Sequence, residues 1–423
     1  MAKKFQRVRG MNDILPQDQK YWKHVLGVAE TQAIFSGFQK VSTPAIESAE
    51  LFKRSVGGDT DIVGKEMYEF KDKSGAPIAL KPEGTAPIVR AYLEGGMASW
   101  PQPVKLFYAD WMFRYERPQA GRRRQFFQFG FEVLGEEESA ADGELIGIAW
   151  QILEKLGLGQ MHLAVNSIGC GDCRESYKKA LLAYYKPKQK QLCGDCKVRF
   201  KENPLRLLDC KEKKDEKIRN EAPVMLDFLC VDCKAHFTET LEYLDELEIP
   251  YNLESRLVRG LDYYTRTVFE IWPQDLGSNF TLIAGGRYDD LVELLGGKKT
   301  PALGFAAGVD RIIEYIKEKK VPVTTEVIPK VFVVQLGQEA KKRAAKLLFD
   351  LRGQGISAEA ALTKDNIGNQ MKIADKFGVP IALILGQKEV MDKTVIIRDM
   401  NSGTQEEVRL QDVSEELQKR LPK

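Results

Sequence analysis

Between Tyr21 and Ala33 the apolar residues Trp22, Val25, Leu26, Ala29 and Ala33 recur every three or four positions, and Gly37 follows where a helix can end. That spacing lines them up on one stripe of an amphipathic helix. The rhythm then changes to short runs of β-forming residues between turn formers, at Phe38 to Val41, Met67 to Phe70, Ile78 to Leu80 and Val104 to Tyr108. These predict an antiparallel sheet. From about Cys170 to Leu247 the chain is Lys-rich, Cys-containing and mostly helical, with a charged run from Lys211 to Arg219. Strand-like patterning returns at Leu253 to Val258 and Thr265 to Ile271 and passes into a glycine-rich stretch ending at Gly308. The block around residues 168–247 therefore reads as an insertion in a larger domain spanning 1–325.

Val321 to Pro329 carries two prolines in a short polar context and reads as a linker. Beyond it the pattern predicts a strand at Val331 to Leu336, helices at Glu339 to Leu351 and Asn369 to Phe377, and strands at Ile381 to Leu385 and Val395 to Arg398. Strands alternating with helices imply a small α/β domain over residues 330–423. The expected fold class is an α+β domain built on an antiparallel sheet, with a helical insertion and a C-terminal α/β domain.

Length agrees with that division, because 423 residues exceed the size, roughly 250–300, at which a single core stops growing. No apolar run approaches the roughly 18 residues of a membrane span, and Met1 to Arg9 lack the apolar stretch of a secretory signal. A cytoplasmic protein with no membrane partner is expected. Lys plus Arg number 63 against 61 Asp plus Glu, a net charge of +2, so any RNA must be held by local patches. All seven cysteines fall between Cys170 and Cys233, six of them in three C-x-x-C pairs. Without an export signal, that pattern points to metal or redox chemistry, not to a disulfide framework.

The segment Phe113 to Gln128, FRYERPQAGRRRQFFQ, holds Arg114, Arg117, Arg122, Arg123 and Arg124 against the single acid Glu116. Such a cluster by itself also suits a solvated loop. Its flanks are strand-like and aromatic, Leu106 to Met112 and Phe126 to Leu134, so the arginines lie on and beside a hairpin. A sheet that aims guanidinium forks inward is suited to bidentate phosphate binding.

In its longer form, FRYERPQAGRRRQFFQFGFE, this segment resembles motif 2 of class II aminoacyl-tRNA synthetases, and the histidyl-tRNA synthetases in particular. Five further segments support the resemblance in the expected order. GFQKVSTPAIESAEL (37–51) is similar to motif 1, with Pro44 at its proline, and LGFAAGVDR (303–311) to motif 3. LVRGLDYYTRTVFE (257–270) resembles the histidine signature and AGGRYDDL (284–291) its companion; KPEGT (81–85) resembles the substrate loop. Ala306 and Asp290 depart mildly from the family pattern. Taken singly, Tyr263 and Tyr264 could be packed aromatics and Gly285-Gly286 a turn.

The resemblance implies an ATP- and Mg²⁺-dependent ligase that makes histidyl-adenylate from L-histidine and transfers histidine to its tRNA. Arg114 and Arg259 would meet the α-phosphate and the substrate carboxylate, and Arg122 and Arg311 the outer phosphates or the nucleotide. A neutral imidazole offers one donor and one acceptor, which calls for a buried acceptor and a buried donor in the pocket; Glu83 and Tyr264 fit. Gly84 belongs to the same loop, Thr85 and Gln128 would take the α-amino group, Glu132 and Tyr263 would stand close to the substrates, and Tyr288 would line the pocket. Arg117 and Gln119 would face the acceptor end of the tRNA, the C-terminal domain its anticodon, and motif 1 would form a homodimer interface. The regulatory subunit of ATP phosphoribosyltransferase resembles the same catalytic domain, but it typically lacks the full histidine signature, the arginine-rich loop and the anticodon-like domain. A non-catalytic RNA-binding descendant is the third reading, against which stand Glu83, Arg259 and Tyr264.

One expectation is independent of that family. Cys170-Gly-Asp-Cys173 and Cys193-Gly-Asp-Cys196 repeat one tetrapeptide at a spacing suited to a single tetrahedral, structural zinc site. Cys230 and Cys233, with Cys210, could replace one pair or form a second, incomplete site, and reduced cysteines can also serve as small packing residues.

Overall fold

The computed structural model describes every residue except 1–4, 59, 118–120, 209, 211, 324–329, 364–365 and 422–423. The chain divides into two compact units, Met1–Val323 and Thr324–Lys423.

In the first unit the strands are β1 (Gln39–Lys40), β2 (Ile46–Ser48), β3 (Tyr68–Lys71), β4 (Pro77–Leu80), β5 (Val104–Phe113), β6 (Gln125–Leu134), β7 (Met161–Ser167), β8 (Asn252–Leu253), β9 (Thr265–Pro273), β10 (Ile283–Arg287) and β11 (Ala302–Gly308). Eight of them form one sheet in the order β1-β5-β6-β11-β10-β9-β7-β8. Its interior is antiparallel, and both short edge strands pair parallel to their neighbours. The strands at 46–48, 68–71 and 77–80 form a separate three-stranded sheet, so the predicted runs do not all join one sheet. A second difference is Leu253 to Val258. Only Asn252–Leu253 is a strand; the Glu254 N–H bonds to Val165 and a turn closes from Leu257 N–H to Glu254 O, carrying the next residues out of the sheet.

The main helices are α1 (Pro16–Phe35), α2 (Ala49–Val56), α3 (Thr85–Glu94), α4 (Ser139–Lys155), α5 (Gly171–Tyr185), α6 (Gly194–Glu202), α7 (Lys213–Asn220), α8 (Val231–Glu246), α9 (Leu291–Leu294) and α10 (Val309–Lys319). Proline opens α1, where its missing N–H costs nothing. Its stripe of Trp22, Val25, Ala29 and Ala33 is buried with Leu145 and Ile152 of α4, Ile312 and Ile316 of α10, and one face of the sheet.

Alternation along the strands decides what faces that core. Phe107, Phe129, Phe131 and Val133 point into it, whereas Leu106, Tyr108 and Met112 point to the opposite face with Tyr263, Tyr264 and Tyr288. By the same period, Gln128, Gly130 and Glu132 share the second face. The central strands pack closely: a Cβ on Gly285 would lie 2.3 Å from the Gly304 carbonyl oxygen. Helices α5 to α8 and the turns between them make the insertion, with a small core of its own.

The second unit has a five-stranded sheet of β12 (Val331–Gln335), β13 (Ala358–Ala360), β14 (Ile381–Leu385), β15 (Thr394–Asp399) and β16 (Gln405–Arg409), in the order β13-β12-β14-β15-β16. Its first three strands in that order are parallel and the last two pairings antiparallel. The helices are α11 (Gln338–Gly353), α12 (Ile367–Phe377), α13 (Gln387–Asp392) and α14 (Val413–Arg420). Among the described residues no helix is long and apolar enough to cross a membrane.

Candidate active site

On the face of the large sheet away from α1, α4 and α10, a cavity of about 260 Å³ gathers residues from distant parts of the chain. Ten of the expected site residues line it: Glu83, Gly84, Thr85, Arg114, Arg122, Gln128, Arg259, Tyr263, Tyr264 and Arg311. Three loops, the strand β6 and the first turns of helices α3 and α10 supply them. The hairpin of β5 and β6 carries the arginine-rich segment, the loop before β9 carries Arg259 and the tyrosines, and β11 runs into α10 to deliver Arg311.

Glu83 closes the N-terminus of α3. Its carboxylate accepts from the backbone N–H of Thr85 at 2.7 Å and of Ala86 at 2.9 Å, using two of its lone pairs. Burial raises the Glu83 pKa, and the two N–H donors work against that rise. The Thr85 hydroxyl donates to Glu132 at 2.8 Å, and the Tyr288 hydroxyl donates to the other oxygen of the same carboxylate. Glu132 is fully buried, and desolvation raises its pKa to about 8. Glu132 and Tyr288 therefore stand behind the cavity wall, with Thr85 between Glu132 and the open space.

The cationic half lies opposite. Arg114 donates from Nε to the Pro82 carbonyl at 2.8 Å and stacks toward Phe126. Arg122 donates to Glu116 at 3.2 Å. Arg311 is held by the carbonyls of Gly121 and Thr281, each at 2.8 Å. Its pKa is lowered by burial and then by the nearby charges of Arg122 and Arg114. Three guanidinium groups thus converge, with Glu66, Glu116 and Glu270 the acids near them, and guanidinium forks gathered in this number suit a multiply charged anion. Arg259 pairs with Glu270, whose other oxygen accepts from the Thr281 hydroxyl at 2.7 Å, and its guanidinium sits 5.6 Å from the Tyr264 ring centre.

Two of the remaining arginines fasten the hairpin to its surroundings. Arg123 reaches Asp310 at 2.6 Å and Glu314 at 2.8 Å on α10, which fastens the hairpin to that helix. Arg124 stacks on Tyr115 at 3.7 Å. Arg117 is exposed and does not line the cavity, and Gln119 lies outside the described residues.

Several residues that the patterns did not single out complete the site. Tyr108 lines the cavity with its ring lodged against two glycines, where a Cβ on Gly84 or Gly130 would come within 2.3 or 2.4 Å of it. Its buried hydroxyl finds no hydrogen-bond partner among the described residues. The signal was Gly130 inside an otherwise aromatic strand, which marks a close approach. Glu270 belonged to the quoted signature but received no role. Lys81, fully buried, donates to Thr43 and to Asp110 at 2.5 Å and ties the substrate loop to β5. Arg287 is equally buried and bonds Asp142 at 2.7 Å, holding α4 to the sheet.

The cysteines do not assemble as one Cys170, Cys173, Cys193, Cys196 quartet. Cys170 and Cys173 lie with Cys230 and Cys233, while Cys193 and Cys196 lie with Cys210 and Asp215. Helices α5 and α8 start side by side, whereas α6 begins elsewhere in the insertion against the start of α7, so tertiary placement overrides the repeated tetrapeptide.

Residues 10–312 match the family model for histidyl-tRNA synthetase, and residues 330–420 match that for an anticodon binding domain. A histidine–tRNA ligase of Dehalococcoides mccartyi is 45% identical over 417 residues, covering 99% of this chain and 100% of that protein. Among solved structures, the apo histidyl-tRNA synthetase of S. aureus superposes with a TM-score of 0.83 at 34% identity, over 98% of this chain and 100% of that one. An ATP phosphoribosyltransferase regulatory subunit/histidyl-tRNA synthetase of Bacillus halodurans shares the fold, with a TM-score of 0.65 at 21% identity over 91% of this chain and 99% of that one.

Proposed function

This chain belongs to the histidyl-tRNA synthetase family, and from that premise we propose that its cavity condenses L-histidine with ATP and then passes histidine to the 3′ end of its tRNA. The carrying observation is the pairing, across one cavity, of a buried carboxylate and tyrosine with converging arginines.

The histidine carboxylate is ionised at neutral pH and needs no general base to attack the α-phosphorus in line. What the protein must supply is position and positive charge. Arg259 and Arg114 meet the α-phosphate and the carboxylate; Arg122 and Arg311 hold the outer phosphates or the nucleotide. Glu83 retains two lone-pair sites for an imidazole N–H, and Tyr264 faces the second nitrogen. Thr85 and Gln128 take the α-amino group, with Glu132, Tyr263 and Tyr288 behind them.

Mg²⁺, when bound with ATP, screens the phosphate charges. Of the carboxylates near the arginines, Glu116 and Glu270 are already engaged with guanidinium groups. The ion would therefore rely chiefly on phosphate oxygens and water, with Glu116 or Glu270 as the protein's contribution. The zinc candidates of the insertion take no part in this chemistry.

Arg117 and Gln119 are assigned to the acceptor end, and the second unit to the anticodon. A cytoplasmic homodimer closes the proposal. The large apolar residues Ile34, Phe35, Ile46 and Phe70, left exposed in and beside the motif 1 segment, support a partner there. The fuller likeness to a histidine–tRNA ligase, with the second unit present, disfavours the regulatory-subunit reading. ATP–pyrophosphate exchange that requires histidine tests the assignment; exchange driven by another amino acid, or none, refutes it.

A further inference from the structure

Each of the three C-x-x-C pairs opens a helix. Cys170, Cys193 and Cys230 stand at the N-caps of α5, α6 and α8, and Cys173, Cys196 and Cys233 lie in the first turns. Backbone N–H groups point at the sulfurs: Cys196 N–H donates to Cys193 Sγ at 3.3 Å, Cys233 N–H to Cys230 Sγ at 3.5 Å, and Cys230 N–H to Cys173 Sγ at 3.1 Å. Such donors, with the positive end of the helix dipole, favour thiolates, the form that binds metal.

The tertiary structure then gathers two separate groups of four, Cys170, Cys173, Cys230 and Cys233 in one and Cys193, Cys196, Cys210 and Asp215 in the other. Within each, the four potential ligand atoms lie within 4.8 Å of one another. Four ligands at a Zn–S distance of about 2.3 Å on a tetrahedron are separated by about 3.8 Å. The Cys193 and Cys210 sulfurs are 3.8 Å apart, and those of Cys170 and Cys173 are 3.5 Å apart. These separations are far beyond the S–S bond of about 2.05 Å and too small to surround a polynuclear cluster. In the second group Asp215 completes the set: an oxygen of its carboxylate lies 3.4 Å from Cys210 Sγ, and the Cys193 N–H donates to both its oxygens, at 3.1 and 3.2 Å.

We propose that the insertion holds two structural zinc ions, one ligated by Cys170, Cys173, Cys230 and Cys233 and the other by Cys193, Cys196, Cys210 and Asp215. The first joins the start of the insertion, at α5, to the start of its last helix, α8. The second joins α6 to the segment leading into α7. Both sites are closed, with four protein ligands, as structural zinc requires. The insertion has reason to need them: of the fourteen residues in its buried core, five are cysteines, which leaves few large apolar side chains to stabilise it. The first site also has a path to the cavity, because Arg174, next to Cys173, donates to the carbonyl of Tyr264 at 3.0 Å.

Full-length protein produced with zinc available and purified without chelators should contain about two zinc ions per chain by elemental analysis. The double variants Cys230→Ser with Cys233→Ser, and Cys193→Ser with Cys210→Ser, should each remove one ion and lower the melting temperature. Should either variant fail to fold, X-ray absorption of zinc in the unaltered protein decides, with an expected average shell of about three and a half sulfurs and half an oxygen. Fewer than two zinc ions per chain after reduction and zinc re-addition, iron in their place, an unchanged metal count in a folded double variant, or a shell dominated by nitrogen and oxygen overturns the proposal.

Discussion

Binding of histidine should expel a proton from Glu132. Burial holds this carboxyl at about 8, so near pH 7 it is mostly protonated in the free enzyme. The substrate's ammonium, placed against Thr85 and Gln128, comes to within one side chain of it, since Thr85 bonds both the cavity and Glu132. One positive charge at roughly 6 Å, with an effective dielectric near 20, favours the ionised carboxylate by ~3 kcal/mol, or about a hundredfold. The substrate carboxylate does not cancel this, because in the proposed placement its charge is met by Arg259. From those figures the proton released per histidine bound peaks near pH 7 at about 0.8 and falls to about 0.1 at pH 5 and pH 9. Calorimetry of histidine binding in buffers of different ionisation enthalpy measures the number directly. The Glu132→Gln variant, which cannot ionise there, provides the reference and subtracts the titration of the substrate's own imidazole. If the two proteins release the same number of protons at pH 7, Glu132 does not sense the ammonium and the placement of the amino acid is wrong.

Arg259→Ala should lower histidine-dependent exchange by about 10²–10³-fold or more, since under the proposed assignment it removes a charge acting on the reacting phosphoryl group, while filter binding of tRNA stays nearly unchanged; equal losses in both would refute the role. A chain ending at Val323, the boundary of the first unit, should keep exchange within a few-fold yet lose most tRNA charging, and unaltered charging kinetics would refute the assignment of the second unit. Gly304→Ala would set a methyl 1.7 Å from a Glu132 oxygen that is already tied to Tyr288. Overpacking plus one broken hydrogen bond should destabilise by about 2–4 kcal/mol, read as a fall in melting temperature, and an unchanged melting curve would show that Glu132 is free to move.

Periodicity located the elements where local physics was strong. The stripe of α1, the long strands around the arginine segment, and the alternation of strand and helix after residue 330 are properties of neighbouring residues, and they survive in the fold. Strands as short as Ala358–Ala360 and Gln405–Arg409 went unseen, because three to five polar or small residues carry no period of their own and pair only when a neighbour is already in place.

Motif order likewise made ten of the cavity's residues legible from the chain alone, since the reaction's demand for guanidinium groups and a buried carboxylate leaves a residue-type signature that does not depend on where the loops go. Which arginine does what was not legible. Arg122, Arg123 and Arg124 are adjacent in sequence and the first two both line the cavity, yet Arg123 is also clamped to α10 and Arg124 stacks on Tyr115, because Asp310 and Glu314, about 190 residues away, and Tyr115 lie where they do in space. The cysteines make the same point. Sequence alone determined that the thiols come in C-x-x-C pairs spaced to hold a metal, but only the tertiary structure decided that they stand at helix starts, that Cys173 meets Cys230 and that Asp215 joins Cys193. A ligand set or a charge pair is a distance in space, and nothing in local spacing encodes which helices lie side by side.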